Sequence, residues 1–146
     1  MDELLAELEE LTGGLTRGWP IEREVRQLSL WLLEAFDAEP LPAEATELGF
    51  ELRLPTRGGR VDSCEIDGTA TDGDGEAVWP AAALSTTSGI LTRLVNLVDP
   101  GALEECAGHL LASALEVIDA DSMRTPARRL HARVGTLGWW LELDRD

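Results

Sequence analysis

The chain opens on a helical repeat. Leu4, Leu5, Leu8 and Leu11 recur every three or four residues, which places them on one face of a helix from Met1 to Thr12. Asp2 and Glu3 suit the positive end of that helix's dipole, and Gly13-Gly14 ends it. Trp19-Pro20 opens a second helix, with proline in a first-turn position where its missing N–H costs nothing. Ile21, Val25, Leu28, Leu32 and Ala35 form its inner stripe, widened by Trp31 and Phe36. Pro40 and Pro42 stop it.

The period then changes to two. Leu48, Phe50, Leu52 and Leu54 alternate with Glu47, Gly49, Glu51 and Arg53, the signature of a half-buried strand. Pro55 to Gly59 is a turn signal, and a second strand follows near Val61–Asp67. The Gly-Asp stretch 68–75 reads as a loop, and Glu76–Trp79 as a short third strand. Residues 84–98 read as a helix. Asp99-Pro100 then caps and starts a longer one to about Ala120. Its apolar face is Leu103, Cys106, Ala107, Leu110, Leu111, Ala114 and Ile118.

The C-terminal pattern specifies a hairpin with its register. Folding the chain at Gly135–Gly138 pairs Val134 with Trp139, Ala132 with Leu141 and Leu130 with Leu143. The same fold pairs Arg133 with Trp140, His131 with Glu142 and Arg129 with Asp144. Apolar contacts fall on one face, cation–π and opposite charges on the other, and a slip of one residue would ruin both. The elements together predict an α+β fold: antiparallel hairpins, about four to five strands in all, packed against about four helices.

Length and composition bound this picture. A chain of 146 residues, 44% apolar, is one ordinary domain with enough material for a core, so residues 1–146 are read as a single unit. No apolar run approaches the length of a membrane span. The acidic N-terminus is unlike the basic start of a signal peptide. Cys64 and Cys106 lie far apart, without metal-ligand spacing, and read as two reduced thiols. A cytoplasmic protein with no membrane contact is expected.

Charge adds a stronger constraint. Twenty-eight acids oppose twelve bases, for a net charge of −16, and every base is an arginine. Direct binding to nucleic acid is disfavoured, because phosphate contacts need a basic face. An acidic surface keeps the chain solvated and attracts basic partners. Only the tail reverses sign: residues 124–146 carry five arginines against three acids.

Four places carry candidate chemistry. Asp62, Glu65, Asp67, Asp72, Asp74 and Glu76 cluster carboxylates around flexible glycines, as cation loops do, but lack the twelve-residue calcium pattern; a solvated turn is the simpler reading. His109 falls about 140° from the centre of its helix's apolar face, beside Glu105, and His131 opposes Glu142 in the hairpin, so neither gathers a metal site. Ser85 to Gly89 precedes a helix, but no phosphate-loop lysine follows, and helix capping accounts for it. The fourth place is Arg124, Arg128, Arg129 and Arg133, beside Trp139 and Trp140. Arginine with tryptophan is the composition of an interface hot spot, although the arginines could equally pair with acidic helices internally or across a dimer.

No catalytic residue, cofactor site or metal site is assigned. In size, acidity and mixed order of elements the chain is similar to small bacterial secretion chaperones and toxin-immunity proteins, a likeness of general build that assigns no residue. The expected function is a non-enzymatic acidic module that holds or neutralises a protein partner, itself basic or otherwise, as a monomer or homodimer. Two alternatives belong to other classes: a small enzyme or small-molecule binder whose site assembles only in three dimensions, and an acidic mimic of nucleic acid.

Overall fold

The computed structural model describes residues 2–54 and 63–118 in full, together with the backbone of two C-terminal strands, 129–134 and 139–144. Element order is α1 (Asp2–Thr12), α2 (Ile21–Ala38), β1 (Glu47–Arg53), β2 (Cys64–Thr71), β3 (Ala77–Ser88), α3 (Gly89–Leu94), α4 (Pro100–Val117), β4 (Arg129–Val134) and β5 (Trp139–Asp144). The fold is α+β. No helix among the described residues is long and apolar enough to cross a membrane.

The first three strands form an antiparallel sheet. Leu48 pairs with Ala70 and Phe50 with Gly68, while Ile66 pairs with Thr86. On the far side of β1 the pairing turns parallel: Leu48 is in register with Ala132 and Phe50 with Val134 of β4. β5 then completes the order β3-β2-β1-β4-β5. The β4–β5 register runs from Arg129 opposite Asp144 to Val134 opposite Trp139, as the alternating pattern predicts. The anticipated turn at 55–59 and the link at 135–138 lie outside the described residues.

Helices cover one face of this sheet. The α2 stripe of Ile21, Val25, Leu28, Leu32 and Phe36 is buried against Leu48, Phe50, Cys64, Ile66, Ala70 and Trp79. Such a stripe is what the helical period makes of apolar residues three and four apart. α4 lies at the centre, touching α1, α2, α3, β4 and β5. The Ser29 hydroxyl lies 2.9 Å from the Val25 carbonyl of its own helix and 3.0 Å from the Ala114 carbonyl of α4, which ties the two helices at a small residue. Asp99 caps α4 by accepting from the Ala102 N–H at 2.9 Å. α1 ends at Gly13 and Gly14, whose φ of 65° and 90° suit glycine, with the Gly14 N–H reaching the Glu9 carbonyl at 2.8 Å.

Three expectations are corrected. Residues 68–71, expected in a loop, continue β2 to Thr71. Residues 84–88 are strand, not helix: β3 continues from Trp79 through a cis Trp79–Pro80 bond and a register shift to Ser88, and only Gly89–Leu94 is helical. Pro80 and three alanines interrupt the alternation that reveals a strand, so the sequence pattern stops early. His109, expected to stand exposed beside Glu105, is half-buried and meets Glu7 of α1, its Nε2 2.9 Å from the carboxylate. The outer side of α4 faces another helix there rather than solvent, which periodicity within α4 alone does not reveal.

Candidate functional site

The alternation that buries Leu48 and Phe50 turns Glu47, Gly49, Glu51 and Arg53 to the other side of the sheet. On β2, Glu65, Asp67, Thr69 and Thr71 do the same. None of these eight residues is buried, and no described helix covers them. Within this open face lies a shallow hollow of about 590 Å³, lined by Thr46, Glu47, Gly49, Glu51, Thr69 and Thr71, with the 72–75 turn at its rim. Gly49 forms its floor. Among the described residues a Cβ built there would meet only the Thr69 carbonyl oxygen, at 3.7 Å, an ordinary contact, so none of them demands glycine.

Electrostatics divide the face in two. At one end Arg53 spans three strands: its Nε and Nη2 meet the two Asp67 oxygens at 2.9 and 3.0 Å, it pairs with Glu65, and it reaches Ser85 Oγ at 3.4 Å. A planar guanidinium suits such a forked arrangement. At the other end Glu47 and Glu51 flank Gly49, and neither makes an ion pair with a described residue. Among the described side chains, the hollow is therefore the negative end of the face.

Sheet register brings the suspected hairpin residues toward this hollow. Arg133 stands opposite Gly49 and His131 opposite Glu47 on β4, while Trp140 stands opposite Arg133 on β5. One cross-strand row thus reads Thr69, Gly49, Arg133, Trp140. Arg129 and Trp139 occupy the first positions of their strands, away from that row, and Arg124 and Arg128 lie outside the described residues.

The remaining candidates serve local structure. Asp72 Oδ1 accepts from the N–H groups of Asp74 at 2.9 Å and Glu76 at 3.0 Å, so the acidic loop is a turn held by its own side chain. Glu65 and Asp67 belong to the Arg53 cluster, and Asp62 lies outside the described residues. Among the described residues no group of three or more His, Cys, Asp or Glu side chains could hold a metal ion. Ser88 caps α3, accepting from the Leu91 N–H at 3.1 Å. Both cysteines are buried and free. Burial pushes both thiols up, Cys106 to about 11 with help from the charge of Glu105, so neither is a nucleophilic thiolate at neutral pH.

A second hollow of about 240 Å³ lies between α2 and α3, lined by Arg23, Glu24, Gln27 and Arg93. Glu24 is 6% exposed and spends its Oε2 on the Ile90 N–H at 3.1 Å, while Arg93 stacks 3.8 Å over the Trp19 ring. Glu24 and Arg93 are thus engaged within the fold.

No protein-family model, curated protein or solved structure matches this chain. The functional reading rests on the open face alone. Sequence reading singled out Arg133 and Trp140 but not the hollow, because the β1–β4 pairing that flanks it joins segments eighty residues apart. One signal was available: a glycine inside an otherwise regular strand marks a bulge or a close approach.

Proposed function

We propose that this chain is a non-enzymatic, cytoplasmic protein-binding module that holds a basic segment of a partner on the open face of its sheet. The observation that carries this reading is the hollow at Gly49, flanked by the carboxylates of Glu47 and Glu51, which make no ion pair with a described residue, and continued in register by Arg133 and Trp140. Two carboxylates bordering one hollow favour an arginine or lysine from a partner, and the Gly49 floor leaves room for its stem. Arg129, on the same strand as Arg133, extends this reading along β4. Buried, free thiols fit a reducing compartment.

The volume of the hollow also suits a small molecule, which keeps that reading in second place, but its lining is polar where ligand pockets are mostly apolar. The nucleic-acid mimic gains no support, since exposed carboxylates stand on α1 and α2 as well as on the sheet.

Affinity purification of the native protein from its own cells, with mass spectrometry and the molar mass of the recovered complex, tests the proposal. A stoichiometric partner with a basic segment is expected, its binding weakened by salt and lost in Gly49→Arg, which fills the hollow and offsets one of its negative charges. Trp140→Ala should weaken the complex without abolishing it. A partner held equally well by Gly49→Arg, or no protein partner at all, would sink the proposal.

A further inference from the structure

We propose that two copies of this chain pair edge to edge through the second half of β3, joining their sheets. The proposal concerns a surface separate from the Gly49 hollow and does not depend on it. β3 is the outermost strand on one side of the sheet. In an edge strand, alternate residues turn their N–H and C=O groups away from the sheet, a ready template for another strand. Natural edges are blocked by charges, prolines, bulges or a covering segment.

The first half of β3 is blocked in this way. Pro80 follows a cis bond, the register with β2 shifts there, and the Ala81 N–H is taken by both carboxylate oxygens of Glu39, at 3.0 and 3.1 Å. Glu39 also accepts from the Trp79 indole through its carbonyl. The bulge leaves residues 80–83 without a β2 partner; past it, none of these devices continues among the described residues. Leu84 to Ser88 pair in regular register with β2, Ser85 and Thr87 are exposed there, and Ala82 and Ala83 are exposed within the bulge.

Charge identifies the occupant as a second copy. Residues 77–92 contain no charged side chain, the longest such run in a chain that carries 27% charged residues. The opposite edge, β5, carries Glu142 and Asp144. Two copies at −16 each repel over most of their surfaces, and the bare half of β3 is where their backbones can meet without opposing like charges. An antiparallel pairing about a twofold axis is self-complementary. It sets both open faces on the same side of one continuous sheet, so two Gly49 hollows would face one partner. The contact rests on backbone hydrogen bonds and little apolar area, so the dimer should dissociate on dilution.

Light scattering on the full chain, from low micromolar to near-millimolar concentration, tests this. The molar mass is expected to rise from 15.9 kDa toward twice that value. Ala83→Glu and Thr87→Asp, which place carboxylates along the edge, should hold the chain at monomer mass while circular dichroism and the thermal midpoint stay close to the parent. Single cysteines at Ala83, Ser85 or Thr87 should give an intermolecular disulfide at the position nearest the axis, and a cysteine at exposed Glu22 should not. A monomer at every concentration overturns the proposal. So does a dimer that survives both acidic variants and forms no cross-link through β3.

Discussion

Leu48 and Gly49 are neighbours in sequence and lie on opposite sides of one sheet. Leu48 is fully buried in the core that α2 and α4 also line, whereas Gly49 floors a polar hollow bordered by two carboxylates. The covered side is committed to the fold. The buried carboxylate of Glu24 is held by a backbone N–H, and the covered side's thiols are kept protonated by burial. The open side contributes less to stability and keeps its carboxylates available. That division between stabilising and unengaged chemistry is what points to the open face as the place of function.

The largest expected effect is on the covered side. Phe50→Ala or Leu48→Ala should cost about 2–5 kcal/mol through lost burial and the cavity left behind, read from urea unfolding. Gly49→Ala should be neutral or stabilise by up to about 1 kcal/mol, because a strand-interior glycine costs entropy and the new Cβ meets no obstacle. Comparable losses at 48 and 49 would erase the distinction between the faces.

Cys106 sharpens the comparison with pH. Its thiol titrates near 11 in the folded chain against an ordinary value of 9.0. Above pH 9 the unfolded chain loses this proton first, so stability is whole below pH 9 and falls as pH rises through 11. The loss is on the order of 2–3 kcal/mol. Cys106→Ala should flatten the alkaline limb of a stability-versus-pH curve, and an unchanged limb would show that the thiol is not shielded as described.

Glu24 tests whether a polar group on the covered side is structural. Glu24→Ala strands the Ile90 N–H and should cost about 1–3 kcal/mol, and Glu24→Gln, which keeps an acceptor, should recover most of it. Hydrogen exchange at Ile90 would report the loss directly.

The smallest effect belongs to Arg53, half exposed on the open face. Arg53→Ala should cost less than about 1 kcal/mol, and the difference should vanish in high salt, since exposed ion pairs are weak and screened. A larger, salt-independent loss would mean that the open face stabilises the fold after all.

Much of this was legible along the chain because it rests on local period. The stripes of α2 and α4 and the alternation of β1 depend on neighbours a few residues away, and so does the β4–β5 register, in which every pair must agree at once. β3 was read short because Pro80 and the alanines after it carry no period. Ser88 still marked a cap, as its place before Gly89 and Ile90 implied.

The sequence by itself determined which residues seek burial, which begin and end helices, and how the last two strands pair. These follow from spacing, capping chemistry and side-chain polarity, all of which act over one or two turns or across one tight link. The tertiary structure alone decided that β4 lies parallel to β1, that α1 covers the outer side of α4 and takes His109 to Glu7, and that Gly49 sits between Thr69 and Arg133. Those contacts join segments distant in the chain, and their energies come from packed surfaces that no local pattern records.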